Sequence, residues 1–353
     1  MARLSAGLVG CGPRQRAHVA ALRQIPEVRL AACADLDARR LQEFGEAQGI
    51  PPEHRYRSAA EMAAAEHLDI ANVVTPAAVR LGPVAELAAA RVPLIVVEKP
   101  MAVDLEEADE LLRLCAAAGS RLIVNHQYRF LPFALRLKEA VDSGALGTIE
   151  YLRATCPNKL HGQGTHMIDL ANFLHGDVPL QWVMGAVAGA ETFDGKLPGP
   201  DRDAAVFAYQ DDVRLYLECG RQVPRTDPGA KQHLYIEVVG SRGRAWGGID
   251  SGYRIVTVGG GVSEERQSWA DGDRSAEAAL YREAIAALTG DRATAHRSRG
   301  ELGRRTLEAM VGVLQSALEH RLVPFPLSVA PDYMATVRSQ LVGGAEPPPA
   351  RAV

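Results

Sequence analysis

The chain has few cysteines, no excess of basic charge and no long apolar run, and each shortage removes a class of function. Its five cysteines, Cys11, Cys33, Cys115, Cys156 and Cys219, are odd in number, widely spaced and free of Cys-x-x-Cys pairing. That argues for reduced thiols over a disulfide framework or a zinc site, and no metal is implied. A formal net charge of −4 gives no basic footprint for nucleic acid or an anionic membrane. A small neutral or anionic metabolite suits it better. No stretch approaches the roughly 18 apolar residues of a membrane span, and the apolar run before the first glycines is too short for a signal peptide. The expected location is the cytoplasm. Repeats and low-complexity tracts are missing as well.

What is present is a core-forming chain. At 353 residues, 47% hydrophobic and 23% charged, it exceeds what one core usually organises, so two domains are expected. From residue 4 to 124 short apolar runs alternate with turns and amphipathic stretches, the pattern of a doubly wound parallel sheet with helices on both faces. Strands are predicted over Leu4–Val9, Val28–Ala34, 70–74, Leu94–Val97 and 122–124, with a helix over Leu105–Ala118 stopped by Gly119. Beyond residue 131 a helix over 133–142 leads into alternating segments at 148–155, 204–209, 213–218, 234–239 and 253–258. These predict an open, mostly antiparallel sheet, followed by helices over 275–288 and Gly300–Glu319. The expected fold class is α/β: a dinucleotide-type domain in 1–124, a second α/β domain in 125–340, and a disordered tail in 341–353.

The first strand runs into Gly10-Cys11-Gly12-Pro13-Arg14-Gln15 and then a helical stretch, so a Gly-x-Gly pair occupies a strand-to-helix turn. Such a turn lets backbone approach a pyrophosphate, with the helix N-terminus offering N–H groups to it, which is the Rossmann arrangement. The third glycine of that fingerprint is replaced by Gln15. Asp35 ends the second strand, twenty-three residues past Gly12, close to the spacing of a carboxylate that binds an adenosine ribose. It repels a 2′-phosphate, so NAD is expected over NADP, although Arg39 and Arg40 leave NADP open. Asp35 also has the character of an N-cap for the following helix. Thr75-Pro76 and Glu98-Lys99-Pro100 end the third and fourth strands, the edge where open α/β sheets place ligands.

Hydride transfer at a carbinol carbon needs a group for the hydroxyl proton and a donor for the alkoxide-like charge. Lys99, one residue past an apolar strand, suits either role. Together with Asn125-His126-Gln127-Tyr128-Arg129-Phe130 and Gly164-Thr165-His166-Met167-Ile168-Asp169, these segments resemble the glucose-fructose oxidoreductase and inositol dehydrogenase (Gfo/Idh/MocA) family. The resemblance spans most of the chain, including 237–243 and the C-terminal helices.

That resemblance implies NAD held by Gly10, Gly12, Pro13, Arg14, Gln15, Asp35, Thr75, Pro76, Glu98, Lys99 and Gln127. It implies Lys99 as the group that polarises the reacting oxygen and His166 as general base in oxidation and acid in reduction. Tyr128, Asn158, Lys159 and His161 join Lys99 and His166 as substrate contacts, with Lys159 suited to an anionic group. Asp169 is expected to cap or brace its helix. Polyol dehydrogenases of the family usually carry an aspartate four positions before the histidine, and here that position is Gly162. Either His166 works alone with Lys99, or His161 or a nearby polar residue substitutes, or simple polyols are not oxidised. The implied substrate is a sugar, inositol or sugar derivative, and the implied assembly a homodimer or homotetramer. Two alternatives stay open: an NAD-retaining enzyme that oxidises transiently to permit elimination or glycoside cleavage, and a dinucleotide-binding sensor with degraded catalysis.

Overall fold

In a computed structural model, residues 3–191, 199–225, 233–290, 295–328 and 333–342 are described, the side chains of 269–274 excepted. The expected tail therefore lies, from residue 343 on, outside the described residues. The chain divides into two compact units: Met1–Leu135 with Gln267–Leu307, and Arg136–Arg266 with Glu308–Val353. The first unit thus runs past residue 124 and takes in a segment from much later in the chain.

In the first unit the chain order is β1 (Leu4–Val9), α1 (Gln15–Leu22), β2 (Val28–Ala34), α2 (Ala38–Gln48), β3 (Arg55–Tyr56), α3 (Ala59–Ala65), β4 (Ile70–Val73), α4 (Leu81–Ala89), β5 (Leu94–Val97), α5 (Leu105–Ala118) and β6 (Arg121–Val124). The strands pair in parallel in the order β3-β2-β1-β4-β5-β6. Strand order reverses between β1 and β4, which opens a crevice at the carboxyl edge there. β4 and β5 are buried at every position, which is why they read as apolar runs without alternation. Burying Leu94, Ile95, Val96 and Val97 completely stabilises the sheet by roughly 1.5–3 kcal/mol per large side chain. The Gly119 stop is realised as a left-handed residue at φ +75° closing α5.

The second unit takes most of α6 (Pro132–Asp142), then β7 (Ile149–Cys156), α7 (Thr165–Leu174), β8 (Leu180–Ala188), β9 (Arg202–Tyr209), β10 (Arg214–Gly220), β11 (Tyr235–Gly240), β12 (Gly243–Gly248), β13 (Gly252–Thr257) and β14 (Gly261–Glu265). The chain continues through α8 (Trp269–Thr289), α9 (Gly300–Glu319), β15 (Val323–Pro324) and α10 (Tyr333–Val342). α8 belongs to the first unit, where it packs on α1 and on the turn Gln127–Phe130. The nine-stranded sheet runs β14-β13-β12-β11-β7-β10-β9-β8-β15 and is antiparallel except between β7 and β10. One face lies on α7, which is buried at all positions. The other carries Met184 and Tyr216, both exposed, with Arg214 stacked over Trp182 and Arg244 over Trp246. The open, mostly antiparallel sheet expected from the sequence is present. β8 and β12 escaped that reading because small residues and glycines interrupt their alternation.

Candidate active site

The glycine turn has the shape a dinucleotide needs. Gly10 sits at φ +88°, and a Cβ there would lie 2.6 Å from the Val74 carbonyl oxygen, so only glycine fits. A Cβ at Gly12 would meet nothing within 4 Å, leaving open space above the backbone. Asp35 braces the turn: its Oδ2 accepts from Cys11 N–H at 2.7 Å and its Oδ1 from Asp37 N–H at 2.8 Å. The N-cap of α2 is Asp37, which accepts from Arg40 N–H at 3.0 Å, so Asp35 is not the cap. Asp37, three residues past the end of β2 and directly before Ala38, stands at the helix start, whereas Asp35 directly follows the strand. Gln15 is fully buried, and among the described residues neither its two side-chain amide atoms nor the buried Thr75 hydroxyl has a partner.

Arg14 turns toward a buried network. Its Nε donates to Glu98 Oε1 at 2.6 Å and its Nη2 to Glu277 Oε1 at 2.9 Å. His18 lies 2.8 Å from Glu98 Oε1 through Nε2 and 2.7 Å from the Tyr281 hydroxyl through Nδ1. Asn125 Nδ2 donates to Glu98 at 3.0 Å and Glu277 at 3.1 Å. Burial pushes the Tyr281 phenol well up, helped by the charges of Glu277 and Glu98, so it remains an O–H donor. Burial alone would raise the Glu98 carboxyl. The Arg14 charge, the His18 hydrogen bond and charge, and the Lys99 charge outweigh it and hold the carboxyl well below the usual range. His18, Glu98 and Glu277 are also close enough to ligate a metal. However, Arg14 already bridges both carboxylates, and the two imidazole nitrogens face different partners, so the groups satisfy one another.

Glu98 and its neighbours are held from a second side. Lys99 N–H donates to Glu98 Oε2 at 3.2 Å, and Arg80 donates to the carbonyls of Thr75 and Glu98 at 2.6 and 2.5 Å and to that of Pro100. Gln127 and Tyr128 are buried in the short turn that follows β6. Sequence reading missed His18, Arg80, Glu277 and Tyr281. The signal for Arg80 was a charge set in the apolar run Val79-Arg80-Leu81.

In the second unit the expected substrate residues cluster where β7 ends. Asn158 and Lys159 lead into a wide turn, Leu160–Gly164, in which Gly162 and Gly164 N–H groups donate to the Lys159 carbonyl at 3.0 and 3.1 Å. α7 follows at once and carries His166, buried, in its first turn. Asp169 is buried within α7 and is not its cap, which is Gly164. Asn158 Nδ2 donates to Gln163 Oε1. His161 has both ring nitrogens covered, with no partner among the described residues, and burial, aided by the Lys159 charge, lowers its pKa to about 4, so it is neutral at physiological pH. Burial also lowers Lys159, against the pull of Asp201 and Asp203.

Asp203, which sequence reading missed, reaches this turn from β9. Its Oδ2 accepts from Leu160 N–H at 3.3 Å, and its buried Oδ1 has no partner among the described residues. Burial raises its pKa to about 7, with the Leu160 hydrogen bond and Lys159 opposing. A folded value above the unfolded one means a stabilising contribution that is full below the unfolded pKa and lost as pH rises through about 7. Asp203→Asn removes this titration. The stability of the native chain relative to the variant is expected to fall by on the order of 4 kcal/mol between pH 4 and 8, the value of the shift. Urea unfolding of both proteins across that range measures it, and parallel pH curves would refute it.

The sequence family described as "Oxidoreductase family, NAD-binding Rossmann fold" matches residues 4–126. D-apiose dehydrogenase of Paraburkholderia graminis is 30% identical over 261 residues, covering 68% of this chain, which in turn spans 66% of that enzyme's length. An oxidoreductase from Agrobacterium radiobacter, solved with NAD+, L-tartaric acid and magnesium, superposes with TM-score 0.80 at 22% identity, covering 91% of this chain and 98% of its own. An inositol dehydrogenase homolog from Azotobacter vinelandii, solved with NADH and myo-inositol, gives TM-score 0.79 at 18% identity, covering 92% and 98%. Together with the glycine turn, the Glu98-Lys99-Pro100 edge and the two-sheet architecture, these matches establish that the chain belongs to the Gfo/Idh/MocA family of NAD-binding oxidoreductases.

Proposed function

We propose that the protein is a reversible NAD(H)-dependent dehydrogenase or reductase acting on a secondary hydroxyl or ketone of a cyclic sugar or inositol-like compound. The observation that carries this reading is Lys99, fixed two residues past β5 at the carboxyl edge of a β3-β2-β1-β4-β5-β6 sheet. The apiose and inositol substrates named for relatives support the substrate class. NAD is favoured over NADP because Arg39 and Arg40 are already drawn to carboxylates and Arg57 donates to the Leu36 carbonyl. Arg39 pairs with Glu43 at 2.7 Å, and Arg40 lies 3.9 Å from Asp35 and 3.8 Å from Asp37.

Gly10, Gly12, Pro13 and Asp35 would hold the dinucleotide by backbone approach and ribose binding, with Thr75, Pro76, Glu98 and Gln127 as its further contacts. Bound there, NAD supplies the hydride acceptor in oxidation and, reduced, the donor in reduction. Lys99 donates a hydrogen bond to the reacting oxygen and stabilises its alkoxide-like charge. His166 takes the hydroxyl proton in oxidation and returns it in reduction. Tyr128, Asn158, Lys159 and His161 bind the remaining groups. The charge of Asp201 beside Lys159 favours a polyol over a uronate there.

Incubating the protein with NAD and a panel of sugars, inositols and uronates tests the reading. NADH is expected to accumulate with one substrate class. Tight NAD binding without any NADH would replace it with the retained-cofactor or sensor reading.

The open face of the second sheet is the proposed contact between copies of the chain. Met184 and Tyr216, 55% and 41% exposed, lie among stacked arginines and tryptophans on that face. Light scattering is expected to give a dimer or tetramer for the native chain and a monomer for Met184→Glu with Tyr216→Glu. A native monomer would defeat the proposal.

A further inference from the structure

Arg80 begins α4, yet its side chain turns inward and the residue is only 2% exposed. All its side-chain hydrogen bonds among the described residues go to backbone carbonyls: Nη1 to Glu98 at 2.5 Å and to Pro100, Nη2 to Thr75 at 2.6 Å. Its Nε is buried without a partner. Burial lowers its pKa to about 10, with Glu98 and Glu107 pulling the other way, so it is charged at neutral pH.

Desolvating a guanidinium costs several kcal/mol unless excellent geometry offsets it. Two carbonyls at a strand end are ordinarily closed by neutral donors at no such cost. Here the three carbonyls belong to the ends of neighbouring strands, β4 and β5, on the sheet edge where open α/β folds meet their ligands. Two of them, at Glu98 and Pro100, bracket a single residue, Lys99. From the other side the Glu98 carboxylate is fixed by Arg14, His18 and Asn125. The segment carrying the lysine is thus gripped through its backbone by one buried cation and through its preceding side chain by a buried network.

We propose that Arg80 is a positioning residue for Lys99, locking the backbone on both sides of it so that the ammonium is already aimed at the reacting oxygen when substrate arrives. The inference rests on the reading of Lys99 as the group that binds that oxygen. A lysine has four rotatable side-chain bonds, so its backbone anchor must be firm for its head group to be placed reproducibly. Misplacement by about 1 Å costs on the order of a hundredfold in rate. A merely structural Arg80 would lower stability and cofactor affinity together, whereas a positioning Arg80 acts on kcat.

The test is steady-state turnover and NADH binding by Arg80→Lys and Arg80→Ala, each compared with the native enzyme on the substrate that the panel identifies. Arg80→Lys is expected to bind NADH normally and to lose kcat, because one ammonium cannot span three carbonyls. Arg80→Ala is expected to lose about a hundredfold in kcat and to regain part of it when guanidinium is added. The inference is overturned if both variants keep native kcat, if kcat and NADH affinity fall in equal proportion, or if guanidinium restores nothing. A native enzyme that turns over no substrate overturns the dehydrogenase reading and this inference together. Active native enzyme with unimpaired variants overturns this inference alone.

Discussion

Replacing Lys99 with alanine is expected to lower kcat by roughly a thousandfold or more while leaving NADH affinity nearly unchanged. The ammonium's hydrogen bond strengthens as the hydroxyl becomes alkoxide-like, so its removal is felt in the transition state much more than in the ground state. In the proposed site the dinucleotide would be held elsewhere, by the Gly10–Gly12 turn and by Asp35, which braces that turn through the Cys11 N–H and not through the lysine side chain. Fluorescence titration with NADH and steady-state kinetics separate the two effects. Equal losses in both would assign Lys99 to cofactor binding instead.

Replacing Glu98 with alanine is expected to produce the largest loss of stability, about 3–5 kcal/mol, as is usual when one partner of a buried charge network is deleted. Arg14 would keep Glu277, but His18 Nε2 and one bond of Asn125 would be left unsatisfied in an interior that excludes water. The sign with pH follows from the depressed carboxyl. Its contribution is present above the pH where an unfolded glutamate titrates, roughly 4, and is lost as pH falls through the lower folded value. Urea unfolding of native and variant proteins should therefore converge in strong acid and diverge toward neutrality. A loss below about 1 kcal/mol at pH 7, the scale of an exposed ion pair, would contradict the account of Glu98 as the hub.

The first sheet was legible because β4 and β5 are buried on both faces and read as apolar runs, and because a Gly-x-Gly turn leaves its mark in adjacent residues. The placement of Asp35, Thr75 and Lys99 just past strand ends was legible for the same local reason. The network beneath them was not. His18 and Tyr281 meet across 263 residues, and Asn125 meets Glu277 across 152. α8 reads in sequence as an ordinary amphipathic helix, and nothing local says that it returns to the first unit. Asp203 was hidden in the same way, one polar residue at the start of a half-buried strand whose importance comes from the Leu160 amide it reaches. Asp35 as the cap of α2 was a local misreading by two residues, since Asp37 has the same chemistry and the correct position.

The most direct test of the central claim is to follow the hydride itself. With NADH deuterated at the transferable position and a panel of keto-sugars and inososes, mass spectrometry of the products is expected to find deuterium on the carbinol carbon formed by the native enzyme, and none with Lys99→Ala or His166→Ala. Product that carries no deuterium, or label transfer that persists in both variants, would contradict the proposed roles of Lys99 and His166 in hydride exchange.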